Sequence, residues 1–286
     1  MVSVPFCYFF DIDGTIIGDI TSQVYEWDVV ATFEPAKMAA LRKNVCAQLA
    51  AGLLRPGLAT LMDFLKARHA SDGGCEFFIY TASDPKWAAF IVRCVEAVVG
   101  HRFKRPIFAR QHCIKREQGF VKSFIRVLPA AIKRLGVGPG RQSEFRGRFV
   151  LIDNNRVLPR DQETRLILCP TYMYTDTTDV LRLLSESVLQ ARVGEISDFL
   201  QARSLLYQVD DIAPGANQVQ VLKARYYTGL NRKSKETVRD EGLWIGGGRD
   251  AYWTRLGNVM QGVAHTTLKD GAVAAINAGL AARGGV

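Results

Sequence analysis

Hydrophobic and polar residues alternate in blocks along this chain, and the blocks predict strands and helices in turn. Short apolar runs that end abruptly at a polar residue are typical of strands buried on both faces, as in parallel sheets. Four such runs occur, at residues 4–10, 75–80, 149–152 and 166–169. Longer segments rich in helix formers or with helical spacing separate or follow them, at residues 34–53, 58–67, 85–99, 121–135 and 178–207. This order predicts an α/β fold with a central parallel sheet and crossover helices.

Polar side chains stand directly after three of the predicted strands. Asp11 and Asp13 follow the first strand, residues 81–83 (Thr-Ala-Ser) follow the second, and Asp153 with Asn154 follows the third. In open parallel sheets the ligand crevice lies beyond the carboxyl ends of the strands. The sequence therefore predicts that these polar groups converge in one site.

The composition of the chain changes at about residue 208. Residues 1–207 carry the alternating pattern and predict one α/β domain, whereas residues 208–286 are richer in Gly, Ala and polar residues. We expect the second part to be a C-terminal extension of unknown role, either a small module or partly flexible, which can dock a partner. It contains a glycine run at 246–248 and the aromatic residues Trp244, Tyr252 and Trp253, which more often pack in a core than form a binding site.

Length and composition favour an intracellular globular protein. The 286 residues, 48% hydrophobic and 23% charged, suit one domain of ordinary size plus a smaller appendage. There is no apolar stretch long enough for a membrane span and no start resembling a secretory signal, so we expect a location in the cytoplasm or nucleus. The six cysteines are scattered without a Cys-x-x-Cys pair, which disfavours a zinc site and favours reduced, buried thiols.

The positive charge is concentrated in one part of the chain. The net charge is +9, and residues 101–165 contain 16 Lys+Arg against 5 Asp+Glu, so the remainder is nearly balanced. Such a basic block can bind nucleic acid, a membrane surface or an acidic substrate, or it can be a solvated face. Aromatic residues do not interleave regularly with the basic ones, as they do in single-strand binding surfaces. Nucleic acid is a possible partner but is not indicated.

The pair Asp11 and Asp13 has the chemistry of a phosphotransferase. Side chains two apart in an extended segment point the same way. One carboxylate can attack phosphorus and form an aspartyl-phosphate, while the other protonates the leaving oxygen and later deprotonates the attacking water. The same residues are also compatible with a simple Asx turn. A calcium loop is disfavoured because its further acidic ligands are missing.

Two neighbouring carboxylates repel a phosphate, so the predicted site needs positive charge. Mg²⁺ is the natural cofactor, with Asp153 and Asn154 completing an oxygen-rich shell. Lys122, near the start of a predicted helix, is the candidate to neutralise the phosphoryl group, although a lone lysine is more often a surface residue. The Thr81 hydroxyl and the Ala82 backbone N–H are candidate phosphate ligands at the start of a helix, where an ordinary helix cap is the alternative interpretation.

Five regions together resemble the haloacid dehalogenase (HAD) superfamily of aspartate-nucleophile phosphotransferases. The closer resemblance is to its branch of RNA polymerase II C-terminal-domain phosphatases, the FCP/SCP-like phosphatases of the NLI-interacting-factor type. The stretches occur in family order over about residues 5–205, and they favour Lys122 over Lys115 as the active-site lysine. They are residues 9–15 (FFDIDGT), 54–58 (LRPGL) with 64–65, 78–83 (FIYTAS), 108–113 (FARQHC) with 119–122 (GFVK), and 150–154 (VLIDN).

The resemblance implies a three-layer, Rossmann-like core with a small insert and no large cap, Mg²⁺ as cofactor, and phosphoserine or phosphothreonine in a protein as substrate. It also implies a role for each matching position. Asp11 would be the nucleophile, Asp13 the acid/base with its backbone carbonyl facing the metal, Thr81, Ala82 and Lys122 the phosphoryl ligands, and Asp11, Asp13, Asp153 and Asn154 the metal ligands.

Three departures from the branch leave the substrate open. The branch usually has Glu where Gly14 stands, Ser-Pro where residues 155–156 stand, and mostly strands where residues 16–54 look helical here. One alternative is a phosphatase for a small molecule or a nucleic-acid end, and another is an inactive scaffold with the same fold. The modest insert, and about 40 residues between Thr81 and Lys122, favour an open site and hence a protein substrate.

Overall fold

A computed structural model describes residues 4–18, 20–117, 119–174, 178–209, 212–240, 250–263 and 270–282. Trp244 and the glycine run at 246–248 lie outside these described residues. The central sheet has four strands, and all of its pairs are parallel. Its spatial order is β2-β1-β5-β6. The strands are β1 (Phe6–Phe10), β2 (Cys75–Ile79), β5 (Phe149–Asp153) and β6 (Leu166–Leu168), and a separate antiparallel hairpin pairs β3 (Ile114–Arg116) with β4 (Gly119–Val121).

The predicted strands and the parallel sheet are thus confirmed. Eleven α-helices accompany the strands in the described residues. They are α1 (Thr21–Phe33), α2 (Met38–Gln48), α3 (Leu58–Arg68), α4 (Pro85–Val99), α5 (Phe124–Leu135), α6 (Gln142–Phe145), α7 (Glu186–Ala191), α8 (Val193–Gln201), α9 (Gln218–Asp240), α10 (Tyr252–Gly262) and α11 (Asp270–Ala282).

Local sequence signals account for where α4 begins and ends. The Asp84 side chain accepts hydrogen bonds from the backbone N–H groups of Lys86 and Trp87 at the helix start, and Pro85 occupies the first turn. Gly100 ends the helix with a φ of 72°, a conformation that costs glycine little. These caps fix the helix directly after the Thr-Ala-Ser segment, so the segment is held against the end of β2.

The predicted helix at residues 121–135 is shorter in the structure. Residues 119–121 belong to β4, where Val121 pairs with Ile114, and α5 begins only at Phe124. The sequence pattern missed the hairpin because its three-residue strands are too short to show a period. Lys122 consequently lies between a strand and a helix and not within the helix.

The sheet is covered on both faces, which gives the expected three layers. Alternate residues of β1 point to opposite faces. Phe9 packs against Phe78 of β2 and edge-on against Phe124 of α5, with ring centroids 5.0 and 5.4 Å away. Phe10 packs edge-on against Trp253 of α10 at 5.9 Å. Since every residue of β1 is buried, the strand carries no polar side chain until the chain leaves it at Asp11.

The chain forms two compact units. The first consists of Met1–Asp19, Cys46–Tyr174 and Ile245–Val286, and the second of Ile20–Val45 and Thr175–Trp244. The first unit contains both sheets, and the second is built from helices. The grouping of residues 20–45 with a segment more than 100 residues later is a long-range feature that the sequence did not reveal. The boundary that composition predicts at residues 207/208 stays a prediction.

The second unit has its own hydrophobic core. Val29 and Phe33 of α1 meet apolar residues of the later helices, including Ile196, Leu200 and Tyr226. Tyr226 also accepts a hydrogen bond from the Val180 N–H through its hydroxyl, at 3.0 Å. The helices predicted at residues 34–53 and 178–207 are present as α2 and as α7 with α8, although short 3₁₀ and π turns interrupt both ranges.

The C-terminal helices belong to the first unit, where α11 covers the edge of the sheet. The side-chain amide of Asn277 accepts a hydrogen bond from Leu168 N–H at 3.2 Å and donates one to Leu166 O at 2.8 Å. Both partners are backbone groups of β6. Asn277 thereby imitates a neighbouring strand and satisfies an edge that would otherwise be open to pairing.

The cysteines of the chain occur as separate thiols in the structure. All six cysteines are free, and five of them are buried while Cys46 is partly buried. No helix within the described ranges combines the length and the apolar character needed to cross a bilayer.

Candidate active site

A buried lysine joins the ends of two neighbouring strands. The Nζ of Lys122 lies 2.5 Å from Oδ1 of Asp11, which follows β1, and 2.6 Å from Oδ2 of Asp153, the last residue of β5. Lys122 is 2% exposed, Asp11 6% and Asp153 0%. One ammonium group therefore bridges two carboxylates that the adjacent strands bring to the same edge of the sheet.

Burial and charge act against each other at this cluster. Burial lowers the pKa of Lys122, but the attraction and hydrogen bonds of Asp11 and Asp153 outweigh it and raise the pKa above its usual value. Burial raises the pKa of Asp153 to about 6, with Asp11 adding to the increase and Lys122 opposing it. The lysine is thus held in its charged form, as a phosphoryl ligand must be.

Thr15 fastens the loop after β1 to the loop after β5. Its hydroxyl donates to Asn154 Oδ1 at 3.1 Å and accepts from the Asn154 backbone N–H at 3.0 Å. Gly14, in the loop after β1, has a φ of 72°, and a Cβ added there would lie 2.7 Å from Asn154 Nδ2. Asn154 is therefore oriented by the same loop that carries Asp11.

Asp13 is oriented by the end of β2. Its Oδ2 accepts a hydrogen bond of 2.5 Å from the Ser83 hydroxyl. Ser83 is 7% exposed, and its backbone N–H donates to the Thr81 hydroxyl at 3.2 Å. Thr81, itself 0% exposed, is anchored by a bond from its N–H to Phe108 O. The Thr-Ala-Ser segment thus approaches the acidic motif through Ser83.

Arg110 lies beside the predicted phosphate ligand Ala82. Its Nε donates to Ala82 O at 2.8 Å, its backbone N–H donates to Ser83 O at 3.0 Å, and its guanidinium lies 5.1 Å from the ring centre of Phe120. Arg110 is exposed. It is a cation at the rim of the site, and in the sequence it stood out only as part of the stretch 108–113.

Arg55 is a buried residue that bonds to backbone carbonyls of the loops at the site. Its Nη1 donates to Thr15 O at 3.4 Å and to Pro170 O at 2.9 Å, and it is 1% exposed. Its backbone N–H also donates to Ile16 O at 2.8 Å. Arg55 was noticed only as part of the Leu-Arg-Pro-Gly stretch, and its role depends on contacts that no sequence pattern encodes.

The structure brings most of the predicted site residues together, directly or through one intermediate. Lys122 contacts both Asp11 and Asp153, and Asn154 is linked to the loop after β1 through Thr15. Asp13 is linked to Thr81 through Ser83, and Ala82 stands between these last two. Lys115 is exposed in β3 and pairs with Phe120 across the hairpin. Ser83 was missed as a site residue, although its place at the end of a predicted strand was a usable signal.

The donor chemistry fits a small divalent cation. No group of three or more His, Cys, Asp or Glu side chains suited to hold a metal occurs in the part of the chain that the structure describes. Mg²⁺, however, needs only one or two carboxylates, with carbonyl, water and phosphate oxygens for the rest. Three carboxyl groups, those of Asp11, Asp13 and Asp153, stand here against the single ammonium group of Lys122, and a divalent ion would supply further positive charge. The Asn154 amide oxygen can add a neutral ligand, since it has two lone pairs.

A comparison with protein-family models finds a match over residues 6–200, to the NLI interacting factor-like phosphatases. The chain belongs to this family. The match begins at β1 and includes Asp11, Lys122 and Asp153, while α9, α10 and α11 lie beyond its end. The resemblance seen in the motifs is thereby confirmed.

Two solved structures are similar to this chain at low sequence identity. The fission yeast RNA polymerase II CTD phosphatase Fcp1, bound to beryllium fluoride, is 15% identical with a TM-score of 0.43, and the match covers 91% of this chain and 62% of that one. Another structure of Fcp1, an essential RNA polymerase II CTD phosphatase, is 17% identical with a TM-score of 0.36, covering 92% and 68%. A comparison with curated proteins finds no match. The family assignment rests on the match over residues 6–200.

Proposed function

We propose that this chain is a Mg²⁺-dependent phosphatase that uses Asp11 as its nucleophile and passes through an aspartyl-phosphate. The observation that carries the proposal is the Lys122 ammonium group between Asp11 and Asp153. A buried lysine with two carboxylate partners is costly to build for stability alone, because desolvation offsets much of the attraction. The lysine lies at the strand ends of a chain that belongs to a phosphatase family, and this position supports a catalytic role.

The side chains divide the proposed reaction between them. Lys122 holds Oδ1 of Asp11, so we assign the attack on phosphorus to Oδ2. Asp13, oriented by Ser83, would give its proton to the leaving oxygen and later take one from the attacking water. The Thr81 hydroxyl and the Ala82 N–H would hold the transferred phosphoryl group, together with the charge of Lys122.

Mg²⁺ would be held by the Asp11 carboxylate, the Asp13 backbone carbonyl, Asp153 and Asn154. When bound, it supplies positive charge that lets a phosphate approach these carboxylates. Without such compensation the excess negative charge at the strand ends would repel the substrate. The donor set is the support for this assignment.

Phosphoserine or phosphothreonine in a protein is the proposed substrate. Residues 82–121, between Thr81 and Lys122, contain α4 and the short β3–β4 hairpin and belong to the first compact unit. The described residues of this range form no separate cap domain of their own, which supports an open site that admits a protein segment. The exposed Arg110 at the rim supports an acidic or phosphorylated substrate.

Hydrolysis of p-nitrophenyl phosphate tests the reaction. We expect turnover that requires Mg²⁺, is abolished by EDTA and is absent in Asp11→Asn, which retains the shape of the side chain but lacks a nucleophilic carboxylate. Asp63→Asn is a matched control, because Asp63 is an exposed aspartate on α3. A folded wild type without Mg²⁺-dependent turnover would instead support an inactive scaffold.

A substrate panel then separates the two catalytic alternatives. We expect phosphoserine and phosphothreonine peptides to have higher kcat/KM values than nucleotides, sugar phosphates and 5′-phosphorylated oligonucleotides. A preference for a small phosphate or a nucleic-acid end would replace the protein phosphatase with the second alternative. Whether the basic block at residues 101–165 binds an acidic partner is tested by the dependence of KM on salt.

A further inference from the structure

Among the described residues, the buried guanidinium of Arg55 has one carboxylate partner, Asp250, which lies in the C-terminal part of the chain. Asp250 Oδ2 accepts hydrogen bonds from Arg55 Nε at 3.0 Å and from Nη2 at 2.9 Å. The side chains of Arg55 and Asp250 are 1% and 8% exposed. Asp250 lies 50 residues beyond the end of the family match, so the match does not include this pairing.

The C-terminal segment fixes both Asp250 and its partner. Asp250 Oδ1 accepts the backbone N–H of Tyr252 at 2.7 Å, at the start of α10. The ring centres of Tyr252, Trp253 and Tyr172 lie 4.5, 5.6 and 5.4 Å from the guanidinium carbon of Arg55. Planar stacking and a bidentate partner hold an arginine in one orientation better than either does alone.

The remaining side of the guanidinium faces the active-site loops. Nη1 donates to Thr15 O and Pro170 O, which join the loop after β1 to the loop after β6. The hydroxyl of Thr15 in turn holds Asn154. A chain of contacts therefore runs from Asp250 through Arg55 to Thr15, in the loop after β1. From Thr15 it continues to Asn154, which follows β5.

We propose that Asp250 is a positioning residue for the active site, which acts through Arg55 on the loop that carries Asp11 and Asp13. Its effect on turnover rests on the proposed function, whereas its effect on the loop does not. Without the carboxylate, the Nε and Nη2 groups of the buried guanidinium lose their acceptor, and the guanidinium must turn toward other acceptors or solvent. Either movement would release the carbonyls of Thr15 and Pro170, and with them the geometry that catalysis needs.

Hydrogen exchange measured by mass spectrometry tests the positioning directly. Three backbone bonds report on the loop, namely those of Gly14 N–H to Ile17 O, Arg55 N–H to Ile16 O and Tyr172 N–H to Gly14 O. In Asp250→Asn we expect these amides to exchange about 10-fold faster, while those of β5 keep their wild-type rates. Asp63→Asn, an exposed aspartate in the same unit, should change none of them.

Steady-state kinetics with p-nitrophenyl phosphate and Mg²⁺ form the second readout. Asp250→Asn should lower kcat by about 10- to 100-fold with KM changed by less than about 3-fold, because the loop and not the binding surface is disturbed. Asp250→Glu keeps the charge and should recover part of both readouts. If Asp250→Asn does not fold, Asp250→Glu decides alone, with a smaller change of the same sign.

The outcomes separate the two proposals. If the loop amides of folded Asp250→Asn exchange at the wild-type rate, or if β5 exchanges faster to the same extent, Asp250 is not a positioning residue. A lower kcat without faster loop exchange has the same meaning. If the wild type shows no Mg²⁺-dependent turnover, the proposed function fails, and the exchange experiment still decides the role of Asp250.

Discussion

The Ser83 hydroxyl donates a hydrogen bond of 2.5 Å to Oδ2 of Asp13, and so joins the end of β2 to the acidic loop after β1. Ser83 is buried, and its own backbone N–H is bonded to Thr81. The carboxylate that we assign as acid/base therefore has its orientation set by a residue of the segment that follows β2. A general acid must point at the leaving oxygen, so this contact bears directly on the rate.

Removal of this contact should slow turnover without unfolding the protein. Ser83→Ala is expected to lower kcat by about 10-fold, since one orienting hydrogen bond is lost, and to leave KM for p-nitrophenyl phosphate within about 3-fold. Ser71→Ala, at an exposed serine in the same unit, is the control and should retain full turnover. Wild-type kcat in Ser83→Ala would show that Asp13 is oriented by other contacts.

Lys122→Ala should lower turnover by several orders of magnitude. The variant leaves Asp11 and Asp153 buried without their shared cation, and it removes the charge that stabilises the transferred phosphoryl group. Lys115→Ala should have little effect, because Lys115 is exposed on the hairpin. Kinetics of both variants, with a thermal unfolding curve for each, check this expectation. Loss of turnover in Lys115→Ala alone would overturn the assignment of the lysine.

Gly14→Ala should destabilise the protein through two separate costs. A side chain at the φ of 72° costs about 1–2 kcal/mol, and the added Cβ would also press on Asn154 Nδ2 at 2.7 Å. Gly74→Ala is a matched control, because Gly74 has a φ of 79° and no atom within 4 Å of an added Cβ. Urea unfolding should show a larger loss for Gly14→Ala than for Gly74→Ala. Equal losses would mean that Asn154 moves aside at no cost.

Asn277→Ala should weaken the attachment of α11 to the sheet edge. Two hydrogen bonds to the backbone of β6 are lost, which is expected to reduce the free energy of unfolding by about 1–3 kcal/mol. Asn258→Ala, at an exposed position of α10, should change it by less than about 0.5 kcal/mol. Urea unfolding of both variants measures the difference. Equal stabilities of the two variants would contradict a role for Asn277 at the sheet edge.

Most of the fold and the centre of the site could be predicted from the sequence because their signals are local. The buried strands are continuous apolar runs, and the acidic groups stand where β1 and β5 end. The parallel arrangement then follows from the alternation with helices, and the proximity of Asp11 and Asp153 follows from the arrangement. The β3–β4 hairpin was not predicted because strands of three residues are too short to show a hydrophobic period.

The remainder depends on contacts between residues far apart in the chain. The pairing of Arg55 with Asp250 spans 195 residues, and the contact of Ser83 with Asp13 spans 70. The same holds for the grouping of residues 20–45 with 175–244. Hydrophobic and charged side chains can pair with many partners of suitable type, and only the packed structure selects among them.

The sequence by itself determined the family and the parallel sheet, and it predicted which acidic residues and which lysine form the candidate site, because each signal lies in a short stretch of the chain. The tertiary structure alone decided that Lys122 bridges Asp11 and Asp153, and that the C-terminal helices complete the α/β unit. The physical reason is that strand pattern and motif spacing are properties of neighbouring residues. Orientation of a side chain is set by its packing partners, which the chain brings together only on folding.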